Sequence, residues 1–504
     1  MMSISSSLTD NLDQLRERLG NSPDIIIRKF TLMSAQIQVA AIYVEGLIEK
    51  AVVEEFVGHM MSIDSFDGKH PEIISAKDIF AFMKEKARNV SEEKIIKDWD
   101  VLFEALFSGN TILLIDGIGE AIRGNTSGGE VRSVTEATTQ VAIRGSKESF
   151  TESLGTNLSL VRRKIKSPNL WIETMKIGDV TQTNVSLMYI HGIVNDKALQ
   201  ALKKKLQAID VDAILESGYI EQLIEENVFS PFPTLYNTER PDSVAGNILE
   251  GRVAIFVDGT PFVLIAPTSF FMFFHAVEDY YQRFDISTFI RLLRFMCLII
   301  SLFGPAVFIA ALNFHQEMIP TSLLINLASQ REGVPFPAFI EALMMEVTFE
   351  IIREAGIRMP SPIGQTVSII GGLVLGQAAV QAGIISPAMV IVVSLTGISS
   401  FATPAFNMAL SIRILRFTIM FVAAFMGLYG ISILLFILIA HMCSLRSLGF
   451  PYMSPLGPFI AENHRDSIIR VPLKFMSKRP RLVNQKNITR MAVDKGKRGD
   501  SDES

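Results

Sequence analysis

The residues best placed to do chemistry are glutamates and one arginine set in an otherwise apolar stretch, Arg331 to Pro362, reading REGVPFPAFIEALMMEVTFEIIREAGIRMPSP. With about 100° per residue on a helical wheel and Glu346 at zero, Glu350 falls near about 40°, Glu354 near about 80° and Arg353 near about −20°. These four share one stripe, and Glu341 falls away from it. A charge at lipid depth costs several kcal/mol, so such groups face protein or water and often mark an ion path. The chemistry this suggests is attraction of cations along a water-facing helix, with Glu346, Glu350, Glu354, Arg353 and Glu341 as the ion-pathway candidates. The same residues also fit an amphipathic helix lying at the membrane interface, its charges solvated and paired by Arg353. Both readings stand on these residues alone.

The element that positions the stripe is legible. Pro335 and Pro337 suit a first helical turn, while Gly356, Pro360 and Pro362 supply a stop. The roughly twenty residues between them reach about 30 Å at ~1.5 Å per residue, the thickness of a bilayer core.

Catalysis has nothing comparable. No nucleophile elbow, P-loop, dinucleotide fingerprint or HExxH is present, and the seven histidines are scattered. Cys297 and Cys443 sit in apolar runs, so neither a disulfide framework nor a metal ligand set is expected. No catalytic residue, metal or cofactor is expected, and the chain reads as a non-enzyme. A net charge of −5 without a basic stripe argues against a nucleic-acid partner. The 504 residues are 49% hydrophobic with a mean hydropathy of +0.33, too apolar for an ordinary soluble enzyme, and the excess lies in the second half. The first thirty residues lack an apolar core, so no signal peptide is expected and the N-terminal half is expected in the cytoplasm.

Residues 1–25 read as an arm with one short helix, 37–44 and 111–115 as buried strands, and 73–108 as helices. The pattern then returns. VAAIYVEGLI (39–48) aligns with VSLMYIHGIV (185–194), and TILLIDG (111–117) with VAIFVDG (253–259), at offsets of 146 and 142 residues. The expected fold class is therefore an α+β cytoplasmic N-terminal region of two duplicated α/β subdomains, 26–150 and 151–268, followed by an α-helical polytopic membrane domain, 269–445. Residues 132–165 read as an extended inter-domain segment, with Arg162, Arg163 and Lys164 on a solvated helix face. The loop SPFPTLYNTERPD (230–242) offers Pro231, Pro233, Asn237, Glu239 and Arg240 as docking candidates, or is only a rigid connector.

Phe270 to His275 suits a membrane interface. Spans are expected at 289–314, 363–385, 386–401 and 414–443. The second carries Gly372-x-x-x-Gly376, a helix-packing spacing, with polar spots at Gln365, Gln377 and Gln381. Two spans open alike, IRLLRF (290–295) and IRILRF (412–417), and their arginines conflict with the basic tail 446–504 as topology signals. Four spans, with the charged helix entering partway, place both termini in the cytoplasm; five put the tail outside. The residues from Asn487 onward read as disordered.

Several blocks carry a family resemblance: SPFPTLYNTERPD, the REGVPFPAFIEALMMEVTFEIIREAGIRMPSPIGQ stretch, IGGLVLGQAAVQAGIISP, RSVTEATTQVAIRG and DSIIRVP (466–472). In these the chain resembles the A subunit of GerA-family spore germinant receptors, over nearly all of its length after the first thirty residues. The resemblance implies a subunit of the spore inner membrane that acts with a permease-like B subunit and a C-subunit lipoprotein. It further implies a homo-oligomeric ring, a pentamer in that picture, that opens a nutrient-gated channel for monovalent cations. It maps no ligand pocket onto named residues. Two alternatives stay open: a nutrient transporter, suggested by breaks near Gly371-Gly372 and Pro404, and a receptor scaffold without conduction.

Overall fold

The computed structural model describes residues 3–32, 37–61, 76–77, 79–81, 83–84, 94–128, 137, 140, 142–359, 371–480, 487 and 489–490. The chain opens with an α/β unit made of α1 (Leu8–Arg18), β1 (Ile25–Leu32), β2 (Ile37–Val44), α2 (Lys50–Met61), β3 (Lys94–Ile96), α3 (Trp99–Leu106), β4 (Thr111–Ile115) and β5 (Ala121–Gly124). Its antiparallel sheet has the order β1-β2-β4-β5-β3. Helices cover both faces. Ala40, Ile42 and Val44 pack with α1 and α3, while Val39, Ala41 and Tyr43 pack with α2. A strand buried on both faces reads as a continuous apolar run, which is why β2 and β4 stand out in the sequence.

The short helix expected in residues 1–25 is α1, and it is packed rather than loose. Ser7 caps α1 by accepting from the Asp10 amide, and Leu8, Leu12, Leu15 and Leu19 recur at helical spacing into the core. The expectation of helices across 73–108 misses β3, three residues that carry too little period to be seen. Part of that stretch lies outside the described residues.

A second unit follows: α4 (Leu154–Lys164), β6 (Leu170–Ile177), β7 (Thr183–Ile190), α5 (Asp196–Gln207), α6 (Ser217–Ile224), β8 (Tyr236–Thr238), α7 (Pro241–Leu249), β9 (Val253–Val257) and β10 (Val263–Ala266). Its strand order, β6-β7-β9-β10-β8, repeats the first. The correspondence reaches individual hydrogen bonds. Leu8 N donates to Asp116 Oδ1 and Leu154 N to Asp258 Oδ1. Gly117 N donates to Ser6 O and Gly259 N to Glu152 O. Gly46 and Gly192 both have φ +81°, and Gly117 and Gly259 have +86° and +87°.

Arg162 locks the two units together. It is fully buried rather than solvated. Nε and Nη2 reach the two Asp24 oxygens at 2.8 and 3.1 Å, and Nη1 donates to Leu170 O at 2.7 Å. Trp171 lies over Gly20 and donates to Arg18 O at 3.2 Å.

Phe270–Phe274 is a buried 3-10 turn against Phe295 and Tyr452, not a surface for lipid. Beyond it come α8 (Phe284–Asn313), α9 (Thr321–Arg331), α10 (Ala338–Arg358), α11 (Gly376–Gln381), α12 (Pro387–Ser400) and α13 (Phe406–Ser444). Among the described residues, α8 and α13 are long and apolar enough to cross a membrane. The span expected at 386–401 is α12, only 14 residues, short of a bilayer core at ~1.5 Å each. Of the span expected at 363–385, residues 363–370 lie outside the described residues.

α13 is a hairpin. Near its start Asn407 Nδ2 donates to Glu221 Oε1 at 3.4 Å, and near its end His441 Nε2 meets Ser230 Oγ at 3.0 Å, so both ends reach the same α/β unit. The break is Gly427, at φ 59° and ψ −146°, beside Phe314 and His315 at the far end of α8.

The C-terminal segment is no loose tail. Ser447 Oγ donates to Thr234 O, Phe270 N donates to Tyr452 O, and Arg470 is buried among Asp279, Tyr280 and Ser287. The second α/β unit and this segment therefore meet the helical region at the same end, where α13 starts and finishes. Residues 491–504, which carry most of the expected disorder, lie outside the described residues.

Gly427 sets a prediction. Its backbone region is essentially glycine-only, and an added Cβ meets Phe314 Cβ at 3.0 Å. Gly427→Ala costs about 1–3 kcal/mol of stability and Gly427→Val more, read as a lower thermal midpoint of the detergent-solubilised full chain.

Candidate functional site

α10 brings the acidic stretch to α12 and α13, and the stripe does not face water within the chain. Glu346 and Arg416 are both fully buried and meet at 2.9 Å. Glu350 is shared: Arg416 lies at 3.3 Å, Arg353 at 3.3 Å and Arg413 at 3.8 Å. Arg353 also donates to Ser400 Oγ at 3.1 Å, and its guanidinium lies over the rings of Phe349 and Phe401. Three arginines surround two glutamates, so this cluster carries a surplus of positive charge and does not collect cations. The wheel is right about which residues share a side, but the side is occupied. Glu341, off the stripe, is also buried, held by Arg331 at 3.2 Å and by the Ser386 amide and hydroxyl at 2.9 and 2.8 Å.

Glu354 differs. It lies exposed and pairs with Arg358 at 2.6 Å. With Val347 and Ile351 it forms the uncovered face of α10.

Arg413 and Arg416 are the residues that sequence reasoning missed as partners. Their motif, IRILRF, is read there only as a topology signal, although an arginine inside an apolar run needs a carboxylate. The twin motif behaves alike. Arg291 meets Asp279 at 3.0 Å and Asp466 at 2.9 Å, and Arg294 meets Asp279 at 2.8 Å.

The other candidates land elsewhere. Gly376 is buried, with Val390 at ordinary contact distance of 3.8 Å from an added Cβ, whereas Gly372 is exposed with nothing within 4 Å. Within the chain, the spacing thus yields one packed glycine. The 230–242 loop is a connector, not a docking surface. Pro231 is half-buried and Pro233 buried, Asn237 belongs to β8, and Glu239 and Arg240 are buried. Arg240 pairs with Asp242 at 2.8 Å and donates to the Gln140 and Ser146 carbonyls. Among the described residues no cluster of His, Cys, Asp or Glu could hold a metal.

Two predictions follow from these contacts. Arg416→Met leaves Glu346 buried without a counter-charge and costs about 3–5 kcal/mol, most of it recovered in Glu346→Gln/Arg416→Met. Thermal midpoints of the two proteins in detergent check this. At the junction of α6 with α13, burial and the charge of Glu225 push the Glu221 carboxyl from its usual 4.5 up to about 7. A raised carboxyl favours the protonated fold. Its contribution is full below the unfolded pKa near 4.5 and is lost as pH rises through about 7. The thermal midpoint should fall between about pH 5 and 8, and Glu221→Gln should remove that part of the fall.

The chain is similar to known proteins throughout. A family model described as "Bacillus/Clostridium GerA spore germination protein" matches residues 13–482. "Spore germination protein KA" of Bacillus subtilis (strain 168) is 51% identical over 493 residues, 97% of this chain and 89% of that protein. "Spore germination protein GerLA" of Bacillus cereus is 37% identical over 489 residues, 97% of this chain and 98% of that protein. A crystal structure of the N-terminal domain of the A subunit of the Bacillus megaterium spore germinant receptor GerK3 is 43% identical, covers 53% of this chain and 98% of that one, and gives a TM-score of 0.42.

Proposed function

The chain belongs to the GerA family of spore germination proteins, and from that premise we propose that it is the A-type membrane subunit of a nutrient germinant receptor. It triggers germination as a homo-oligomer that conducts monovalent cations across the spore inner membrane. It works there with a permease-like B-type subunit and a lipoprotein C-type subunit. The two α/β units, products of a duplication, lie on the cytoplasmic side together with the docked C-terminal segment.

The observation that carries the conduction reading is the uncovered face of α10. Val347, Ile351 and Glu354 are exposed along one side, while the other side is pinned by the Arg353, Arg413 and Arg416 ion pairs. A membrane helix that leaves a carboxylate uncovered needs water or another copy of the chain beside it. Copies arranged around an axis would surround that face with water and place a ring of Glu354 carboxylates along it, each paired with Arg358 one turn on; a ring of carboxylates is suited to cations. The buried Glu346 and Glu350 serve in this reading as anchors that hold α10 at a fixed rotation.

The test is made in spores. Glu354→Gln should slow early cation release by about tenfold, equivalent to ~1.4 kcal/mol of barrier, at normal receptor levels. Ile351→Cys should become sensitive to a membrane-permeant thiol reagent. Unchanged release in both variants removes α10 from the conducting path.

A further inference from the structure

A cavity lies away from the α10 network. It has a volume of about 400 Å³ and sits between α7, the 3-10 turn at Phe270–Phe274 and the docked C-terminal segment. That size accommodates a small organic molecule. Its floor is apolar, formed by Phe271, Met272, Phe475 and Met476. Its polar lining is of both signs, but the signs are not equally available.

The acidic groups already have partners. Asp242 is held by Arg240 at 2.8 Å and by the Tyr281 hydroxyl at 2.9 Å. Asp466 is held by Arg291 at 2.9 Å and by the Tyr280 hydroxyl at 2.8 Å. Glu250 is shared by Arg252 at 3.2 Å and Arg490 at 3.4 Å. Arg240 and Arg291 neutralise their carboxylates from outside the lining, so among the described lining residues Arg252 and Arg490 share the single carboxylate of Glu250, and Arg465 adds a further positive charge. One donor is unmet: Arg252 is 9% exposed, and its buried Nε–H has no acceptor among the described residues. A buried guanidinium N–H without an acceptor is costly, and an anionic oxygen is the partner that suits it best.

We propose that this cavity binds a small organic anion with an apolar body, a monocarboxylate of about one-ring size, with its charge at Arg252 and its body on Phe271 and Met272. The same walls make the ligand a fastener. Tyr280 and Asp466, which line the cavity, belong to the cluster that ties the C-terminal segment to Arg291 of α8. Occupancy therefore stabilises the docked segment against the first long helix.

Gly246 of α7 gives a clean way to fill the space. It lines the cavity and is exposed, and a Cβ built there meets nothing within 4 Å. Gly246→Leu adds bulk at the cavity lining from a Cβ that meets no neighbour and replaces a helical glycine by a better helix former. The experiment is calorimetric titration of the full-length protein in neutral-lipid nanodiscs. Phenylacetate is the probe, phenethylammonium the same body with opposite charge, and inorganic phosphate the charge without a body. Phenylacetate should bind once per chain and raise the thermal midpoint. Phenethylammonium and phosphate should each bind at least about tenfold more weakly, the scale of one charge-assisted hydrogen bond. Arg252→Gln should weaken phenylacetate by a similar factor. Gly246→Leu should abolish binding while its own thermal midpoint is unchanged or higher. Loss of phenylacetate binding in phosphatidylglycerol nanodiscs would support the anion site and identify a lipid headgroup as its source. Equal binding of the cation, no binding of phenylacetate in neutral lipid, or undiminished binding in Gly246→Leu would overturn the proposal.

Discussion

A guanidinium removed from water needs close partners, in this structure most often a carboxylate, and that constraint organises the chain from end to end. Arg162 meets Asp24 between the two α/β units, Arg291 and Arg294 meet Asp279 and Asp466 where the helices begin, and Arg416 meets Glu346 inside the helical region. Arg162 with Asp24, Arg291 with Asp466 and Arg416 with Glu346 join segments distant in sequence. Breaking such a pair costs more than the pair contributes, because the survivor is left charged in a low dielectric. The pairs therefore act as geometric restraints more than as a store of stability.

The restraints form a continuous path. The first unit is held to the second through Asp24 and Trp171. The second is held to α13 at both ends, through Glu221 with Asn407 and Ser230 with His441. The C-terminal segment closes the arrangement by packing against the second unit at Thr234 and against α8 at Arg291 and Thr288. The Arg162–Asp24 and Ser447–Thr234 bonds are buried and the others half-buried, so a displacement of one part is felt by its neighbours.

Much of this was legible. A sheet buried on both faces writes itself as unbroken apolar runs, so β2, β4, β7 and β9 are visible, as are the Asp-Gly turns at Asp116 and Asp258 that return at matching offsets. The acidic stretch is likewise visible as a helix with Glu346, Glu350 and Arg353 on one side. What periodicity cannot supply is the identity of the neighbour. The same wheel fits a stripe facing water and a stripe facing Arg413 and Arg416, because a helical period records sidedness and not what lies opposite. The 230–242 loop fails for a related reason. Proline and polar residues mark a break in regular structure, but Glu239 and Arg240 are buried where Gln140, Ser146 and Phe150 bond to them.

The sequence by itself determined the class of the two α/β units, the apolar second half, the strand-turn pattern that repeats, and the location of every charged group that must find a partner. Local propensity and hydropathy suffice for these, since each depends on residues within a turn or two. The tertiary structure decided which carboxylate each arginine took, that α13 folds back on itself at Gly427, that the C-terminal segment returns to the second unit, and that Glu354 alone of the stripe stays exposed. These depend on pairings across tens to hundreds of residues, where burial of one charge is permitted only by the arrival of another.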